Sequence, residues 1–105
     1  MAIAEITVDE LADLLATGAR LIDVREPAEY DEAHVPGAVL VPLGTVPDRV
    51  DAFRGDGPTY VICRSGARSM KACEFVAGHG IDAVNVAGGT MAWVTSGRDY
   101  ATGAA

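Results

Sequence analysis

The chain has 105 residues, half of them hydrophobic, and a formal net charge of -7. This length fits one domain with one core, and no apolar run approaches the roughly 20 residues that a membrane-spanning helix needs. The excess of acidic residues also argues against nucleic acid as a partner, because no broad basic face is available to neutralise phosphates.

The N-terminal elements predict scaffold only. Glu5–Thr7 is a candidate first strand, and Thr7 with Glu10 has the spacing of a capping box at the start of a helix over residues 8–16. Gly18 stands where a C-cap glycine is expected. We assign no chemistry to this part of the chain.

Arg20–Val24 predicts the second strand, with polar Asp23 and Arg25 at its carboxyl end. In open parallel α/β sheets the carboxyl ends of the strands form the ligand-binding edge. Both residues are therefore expected near the functional site. A structural network that fixes the loops, with Arg25 and Glu29 as one ion pair, is the favoured interpretation.

The middle of the chain contains short elements. A short helix is expected to begin at Glu26-Pro27, because proline is tolerated at the first helical position. His34 follows, and no second histidine, cysteine or acid pair completes a site around it, so no catalytic role is assigned. A third strand is expected over residues 38–41, and a helix over residues 46–53.

The most informative stretch starts at the apolar run Tyr60–Ile62, a predicted buried strand. A cysteine, two arginines, two serines and a glycine follow, and Ala67 begins a predicted helix. A turn from a strand into a helix directs backbone N–H groups at one point. Helix N-termini and cations lower a cysteine pKa from about 8.5 to roughly 3.5–7.5, so Cys63 is expected to be a reactive thiolate.

The second cysteine is expected to be structural. Cys73 lies beside the apolar stripe of the predicted helix, more than two turns from Cys63, which is too far for a disulfide without rearrangement. Two cysteines are also too few for a disulfide framework or a zinc site of usual spacing, so no metal ligands are assigned.

The C-terminal third predicts the last strand within Ile81–Val86 and a tight turn at Gly88 and Gly89 into a helix through Trp93. The two glycines are expected to let the chain pass close to the cysteine loop. Trp93 is interpreted as a packing residue. The core is expected to span residues 5–97 of a single domain over 1–105, with a flexible tail at 98–105.

Three blocks of the sequence resemble one protein family. The loop residues are Cys63-Arg64-Ser65-Gly66-Ala67-Arg68-Ser69, and they resemble the active-site loop of rhodanese-domain sulfurtransferases. Leu21–Glu26 with His34–Ala38 resembles the first signature block of that family, and Val86–Trp93 resembles the C-terminal block. The resemblance implies an α/β fold with about five strands in a mostly parallel sheet and helices on both faces.

The resemblance also implies a chemistry. Cys63 would attack the outer sulfur of an anionic donor such as thiosulfate and become a persulfide, then pass the sulfur to a thiol or cyanide. The loop from Arg64 to Ser69 would bind the sulfur and the donor, with Asp23, Arg25, Gly88 and Gly89 as structural support. No metal or organic cofactor is required, and a protein that accepts the sulfur is a further expected partner.

Two alternatives remain open. A cysteine, an N–H cradle and an arginine also serve cysteine phosphatases, whose loops resemble C-x5-R, whereas Cys63 to Arg68 is C-x4-R. The shorter loop favours a single sulfur over a phosphoryl group. The other alternative is a sulfur relay that a partner protein charges. Because Met1–Glu5 lacks the features of a signal peptide, we expect the cytoplasm as the location.

Overall fold

A five-stranded parallel sheet lies at the centre of the computed structural model, which describes residues 2–104. The strands are β1 (Glu5–Ile6), β2 (Arg20–Asp23), β3 (Val39–Leu40), β4 (Thr59–Ile62) and β5 (Ala83–Val86). Their spatial order is β1-β5-β4-β2-β3, and each neighbouring pair is parallel. All residues of β4 and β5 are buried, as parallel strands covered on both faces require.

Helices cover both faces of the sheet. The α-helices are α1 (Val8–Leu15), α2 (Pro27–Glu32), α3 (Ala67–Ala77) and α4 (Gly89–Thr95). On one face, Phe53 and Val76 pack against Ile22 and Val61 of the sheet. On the other face, α1, α2 and α4 contribute Leu11, Tyr30 and Trp93 to a second core cluster. The predicted α/β class, with helices on both faces, is therefore confirmed. No helix within residues 2–104 is long and apolar enough to cross a bilayer.

The capping box at the start of α1 is present. The Glu10 amide donates to the Thr7 hydroxyl at 3.1 Å, and the Thr7 amide donates to the Glu10 carboxylate at 3.0 Å. These two hydrogen bonds satisfy two backbone N–H groups, those of Thr7 and Glu10, that would otherwise bind only water at the start of the helix. The spacing of two residues in the sequence was sufficient to predict this feature.

The helix expected over residues 46–53 is replaced by two 3-10 helices, Leu43–Asp48 and Val50–Phe53. Pro47 lies inside the first one, and a proline lacks the N–H and the space that a continuous α-helix requires. Bonds over three residues close the turns instead, with Arg49 N–H donating to Val46 at 2.9 Å. The predicted α-helix is therefore wrong, although Val46 and Phe53 are buried as expected.

The C-terminal segment contacts the rest of the domain. Ala101 pairs with His34 in an antiparallel bridge, with N–O distances of 2.8 and 2.9 Å. The Gly103 amide donates to the Asp31 carbonyl, and the Trp93 indole donates to the Asp99 carbonyl. The flexibility expected for residues 98–105 stays a prediction, and Ala105 lies outside the described residues.

His34 has a structural environment. Its ring stacks on the ring of Tyr30, with 3.6 Å between the centroids, and its Nδ1 lies 2.7 Å from the Tyr30 carbonyl oxygen. The residue is buried, and its backbone holds the tail. These contacts place His34 between α2 and the C-terminal segment, where it supports the packing of both.

Phe53 anchors the second 3-10 helix and offers a test of the packing. Its side chain is fully buried, whereas Phe75, the other phenylalanine, is 41% exposed. Phe53→Ala should lower the free energy of unfolding by about 3–5 kcal/mol, since it leaves a cavity in the core. Phe75→Ala should lower it by less than about 1 kcal/mol. Urea denaturation of both variants measures the difference, and similar losses would contradict the packing described here.

Candidate active site

Cys63 follows β4 directly, and its side chain lies under the start of α3. Gly66 precedes the helix with a φ of +115°, in the left-handed region that favours glycine, and this turn brings its N–H back toward the sulfur. Gly66 N–H donates to Cys63 Sγ at 3.1 Å, and the Ser69 hydroxyl oxygen lies 3.3 Å from Sγ. The cysteine is only 1% exposed, so water hardly competes for its sulfur.

The pKa of Cys63 is lower than that of an ordinary thiol. Burial is the largest single influence and raises the pKa, but hydrogen bonds to the sulfur outweigh it. The donors are the Ser69 hydroxyl and the N–H groups of Ser69, Gly66 and Ser65. The direction agrees with the sequence expectation, while the cause is hydrogen bonding to the thiolate from the start of α3.

Arg68, the second arginine of the loop, forms an ion pair with Glu29 of α2. Its two terminal nitrogens donate to the two carboxylate oxygens at 2.7 and 2.8 Å. Bidentate bonds of this kind are among the strongest side-chain contacts. The hydrogen bonds from Arg68 lower the pKa of Glu29 from 4.5 to about 2. The positive charge of Arg68 is therefore largely balanced before any substrate arrives.

Asp23 and Arg25 form a buried pair at the carboxyl end of β2. Arg25 donates from Nε and Nη2 to the Asp23 carboxylate at 2.9–3.1 Å, and from Nη2 to the Ala33 carbonyl at 2.7 Å. The suggested ion pair between Arg25 and Glu29 is wrong, because Glu29 instead binds Arg68. Asp23 and Arg25 therefore connect the end of β2 with the C-terminal end of α2.

Gly89, at the start of α4, lies against the backbone of the cysteine loop. A Cβ at this position would lie 2.5 Å from the carbonyl oxygens of Cys63 and Arg64, and its φ is +59°. Such a short distance leaves no room for a side chain. The approach allows Thr90 N–H and Met91 N–H to donate to those two carbonyls at 2.8 and 3.0 Å. Gly88 has a φ of +78° and is also crowded, by Ala92.

Two polar residues behind the loop, Asn85 and Glu5, were not predicted to belong to the site. Asn85 of β5 is 1% exposed, and its Oδ1 accepts a 2.5 Å hydrogen bond from the Ser69 hydroxyl. Its Nδ2 donates to Glu5 of β1 at 2.8 Å and to the Gly66 carbonyl at 3.1 Å. One signal was available, because Asn85 interrupts the apolar sequence of a buried strand.

A cleft of about 300 Å³ opens beside the loop. It is lined by Arg25, Glu29, Glu32, Arg64, Thr90, Met91, Val94 and Thr95. Within residues 2–104, the Arg64 side chain has no ion-pair partner, and the buried Thr90 hydroxyl has no hydrogen-bond partner. A larger cleft, of about 500 Å³ between Phe53 and Asp82, lies near the amino ends of β4 and β5, whereas Cys63 follows the carboxyl end of β4.

The structure brings most of the predicted site residues together around Cys63. Ser65, Gly66 and Ser69 provide hydrogen bonds to its sulfur. Arg64 lines the cleft, and Arg68 binds Glu29. Within the described part of the chain, no cluster of three or more histidine, cysteine or acidic residues has the geometry of a metal site.

This parallel sheet, with a cysteine loop between its central strand and a helix, defines a rhodanese-like domain. Residues 7–96 match the family model described as "Rhodanese-like domain", and the chain belongs to that family. The three blocks noted in the sequence had indicated the same family. They lie at β2 with the loop after α2, at the cysteine loop, and at the turn into α4.

Individual relatives agree with this assignment. A sulfurtransferase of Allochromatium vinosum is 35% identical over 96 residues, which cover 89% of this chain and 90% of that protein. The thiosulfate sulfurtransferase GlpE of Pseudomonas entomophila is 32% identical over 89 residues, covering 84% and 82%. The crystal structure of a rhodanese-like domain protein from Staphylococcus aureus is 39% identical, with a TM-score of 0.81 over 87% of this chain and 91% of that one.

Gly89→Ala tests the close approach of α4 to the loop. The matched control is Gly97→Ala, because Gly97 also has a positive φ, +84°, but its Cβ would meet nothing within 4 Å. The control should lose about 1–2 kcal/mol of stability from backbone strain alone. Gly89→Ala should lose about 1–3 kcal/mol more, because the loop carbonyls must move. Urea unfolding compares the two, and equal losses would show that the approach is not tight.

Glu29→Gln tests the ion pair with Arg68. Because the pKa of Glu29 falls from 4.5 to about 2 on folding, the carboxylate stabilises the folded state fully above pH 4.5. This stabilisation is lost progressively as the pH falls from 4.5 toward 2. At pH 7 the wild type should therefore unfold at a higher urea concentration than the variant. The urea midpoints of the two proteins should converge as the pH is lowered. A difference that stays constant with pH would contradict the ion pair.

Proposed function

We propose that this protein transfers sulfane sulfur through a persulfide on Cys63. The observation that carries the proposal is the sulfur environment: Sγ lies in a small cradle of hydrogen donors from Gly66 and Ser69. Such a cradle stabilises a thiolate and a negatively charged persulfide in the same place. The proposed reaction is that of a thiosulfate sulfurtransferase.

The first half-reaction forms the persulfide. The Cys63 thiolate attacks the outer sulfur of thiosulfate, a sulfur–sulfur bond forms, and the original sulfur–sulfur bond breaks. Sulfite leaves with the electron pair of the broken bond. Arg64 is the proposed first contact of the anionic donor, because it lines the cleft and has no ion-pair partner within residues 2–104. Arg68 contributes less, because Glu29 balances its charge.

The second half-reaction regenerates the thiolate. A nucleophile, either cyanide or an acceptor thiolate, attacks the outer sulfur of the persulfide, and Cys63 leaves with the electron pair. The products are thiocyanate or a persulfide of the acceptor, which includes a thiol of a partner protein. Both cysteines are free, and we propose the cytoplasm as the location, where thiols stay reduced. The reaction requires neither a metal nor an organic cofactor.

Two observations support this function over phosphatase chemistry. The loop from Cys63 to Arg68 has the C-x4-R length, which suits one sulfur atom better than a phosphoryl group with its three oxygens. In addition, both terminal nitrogens of Arg68 bind Glu29, so the arginine that would clamp a phosphoryl group is already engaged. The name of the Pseudomonas entomophila relative supports thiosulfate as the donor.

Intact mass spectrometry after incubation with thiosulfate tests the proposal. The wild type should gain the mass of one sulfur atom, and cyanide should reverse the gain with release of thiocyanate. Cys63→Ser should gain nothing. Cys73→Ala is the matched control and should behave as the wild type, because burial raises the pKa of Cys73 to about 12 and keeps it unreactive.

Other outcomes would change the assignment. The protein could gain no mass from thiosulfate but gain sulfur on Cys63 from a low-molecular-weight persulfide. That result would contradict a thiosulfate enzyme and indicate a sulfur relay that a partner protein charges. No gain from either donor, with hydrolysis of p-nitrophenyl phosphate that depends on Cys63, would replace sulfur transfer by phosphatase chemistry.

A further inference from the structure

The hydroxyl group of Ser69 has more acceptors than it can serve. Its oxygen lies 2.5 Å from Asn85 Oδ1, 3.3 Å from Cys63 Sγ and 3.3 Å from the Gly66 carbonyl oxygen. A serine hydroxyl carries a single hydrogen and can donate it to one of them at a time. Ser69 is fully buried, so water does not relieve the competition.

The orientation of the Asn85 amide is fixed by its other contacts. Its Nδ2 donates to the Glu5 carboxylate at 2.8 Å and to the Gly66 carbonyl at 3.1 Å. Both partners can only accept, so a flipped amide would place oxygen against oxygen twice. Oδ1 must therefore face Ser69, and it offers the closest acceptor for the hydroxyl hydrogen.

We propose that Asn85 is a positioning residue that couples the orientation of the Ser69 hydroxyl to the protonation state of Cys63. While Cys63 is a thiol, its S–H donates to Ser69 Oγ, and the hydroxyl donates to Asn85. When the thiol loses its proton to water, its sulfur can only accept. The hydroxyl then turns to Sγ, and Asn85 Oδ1 loses that hydrogen bond.

This coupling makes the thiolate more costly to form than it would be with Ser69 alone. The lowered pKa of Cys63 is then the balance between the bond that the sulfur gains and the bond that Asn85 loses. The charged and titratable groups nearest this network belong to all the surrounding elements. They are Glu5 on β1, Asp23 at the end of β2, Arg25 just after β2, Glu29 on α2, Arg64 in the loop, and Arg68 and Cys73 on α3. The variants below leave all of these groups unchanged except Cys73, which is removed from every protein compared.

The sign of one substitution distinguishes this role from a purely structural one. Asn85→Leu removes the nearer of the two competing acceptors and leaves the Gly66 carbonyl at 3.3 Å, so Ser69 should donate to the thiolate without losing its shortest hydrogen bond. The pKa of Cys63 should then fall, by about one unit, which is the size of one buried hydrogen bond. If Asn85 only clamped the loop through Gly66, its loss would loosen the cradle, and the pKa would rise.

The experiment measures the rate of alkylation of Cys63 by iodoacetamide as a function of pH, in a Cys73→Ala background. Ser69→Ala should raise the pKa by about one unit, since it removes a donor to the thiolate. Asn85→Leu should lower the pKa in the presence of Ser69 and leave it unchanged in the Ser69→Ala protein. A rise, or the same shift in both backgrounds, would overturn the proposal.

A second variant covers a failure of Asn85→Leu to fold. Asn85→Ala removes the same acceptor without adding a large apolar side chain, so the pKa of Cys63 should again fall in the presence of Ser69. It should leave the pKa unchanged in the Ser69→Ala protein. A rise, or full additivity of the two substitutions, would overturn the proposal.

The proposal concerns the nucleophile of the proposed sulfur transfer, yet its test is independent of that function. Alkylation requires only a reactive thiolate on Cys63 and no sulfur donor or acceptor. A failed thiosulfate reaction would therefore leave the measured pKa shifts interpretable, and failed pKa shifts would leave persulfide formation untouched.

Discussion

The site depends on hydrogen bonds that offset the burial of the Cys63 sulfur. Burial of Cys63 at the end of the central strand opposes the charged form, and hydrogen donors from the start of α3 must compensate for it. The surrounding elements follow from this requirement. Cys63 follows β4 directly, so its sulfur lies at the carboxyl end of the central strand. Gly66 directs its N–H toward this sulfur. Gly89 has no side chain, which lets α4 approach the loop and bind the carbonyl groups of Cys63 and Arg64.

The charges near the loop are more balanced than the sequence suggests. Arg64 and Arg68 follow Cys63 within five residues, but in the structure both terminal nitrogens of Arg68 bind Glu29, and Asp23 binds Arg25 through Nε and Nη2. Such pairs fix geometry, because two planar groups bind along two parallel bonds. What remains for an anionic ligand is mainly the exposed side chain of Arg64 and the N–H groups of the loop. Under the proposed function, recognition of an anionic donor would therefore rely on backbone geometry more than on net positive charge.

The sequence predicted those structural features that involve residues close together in the chain. The capping box at Thr7, the turn at Gly66 and the buried strand before Cys63 each involve residues within a few positions, whose backbone preferences are sufficient. The contacts that were missed join distant positions. Arg68 and Glu29 are 39 residues apart, and Asn85 and Glu5 are 80 apart, so only the strand order brings them together. The sequence could name the family of the fold, but not which carboxylate meets which arginine.

The strand order also has a consequence for how the chain matures during synthesis. Among the strands of residues 2–104, β1 pairs with β5 alone, so it is synthesised well before its partner and stays unpaired until the last of the five strands has been made. Contacts over such separations form late and slowly. Cys63 is synthesised before Asn85 and Gly89. Until those residues follow, the Gly66 carbonyl lacks its hydrogen bond from Asn85, and the carbonyls of Cys63 and Arg64 lack their donors in α4. In a nascent chain the residues that donate to the Cys63 sulfur therefore exist before the residues that hold them in place, and the complete site forms only when β5 and α4 have packed against the loop.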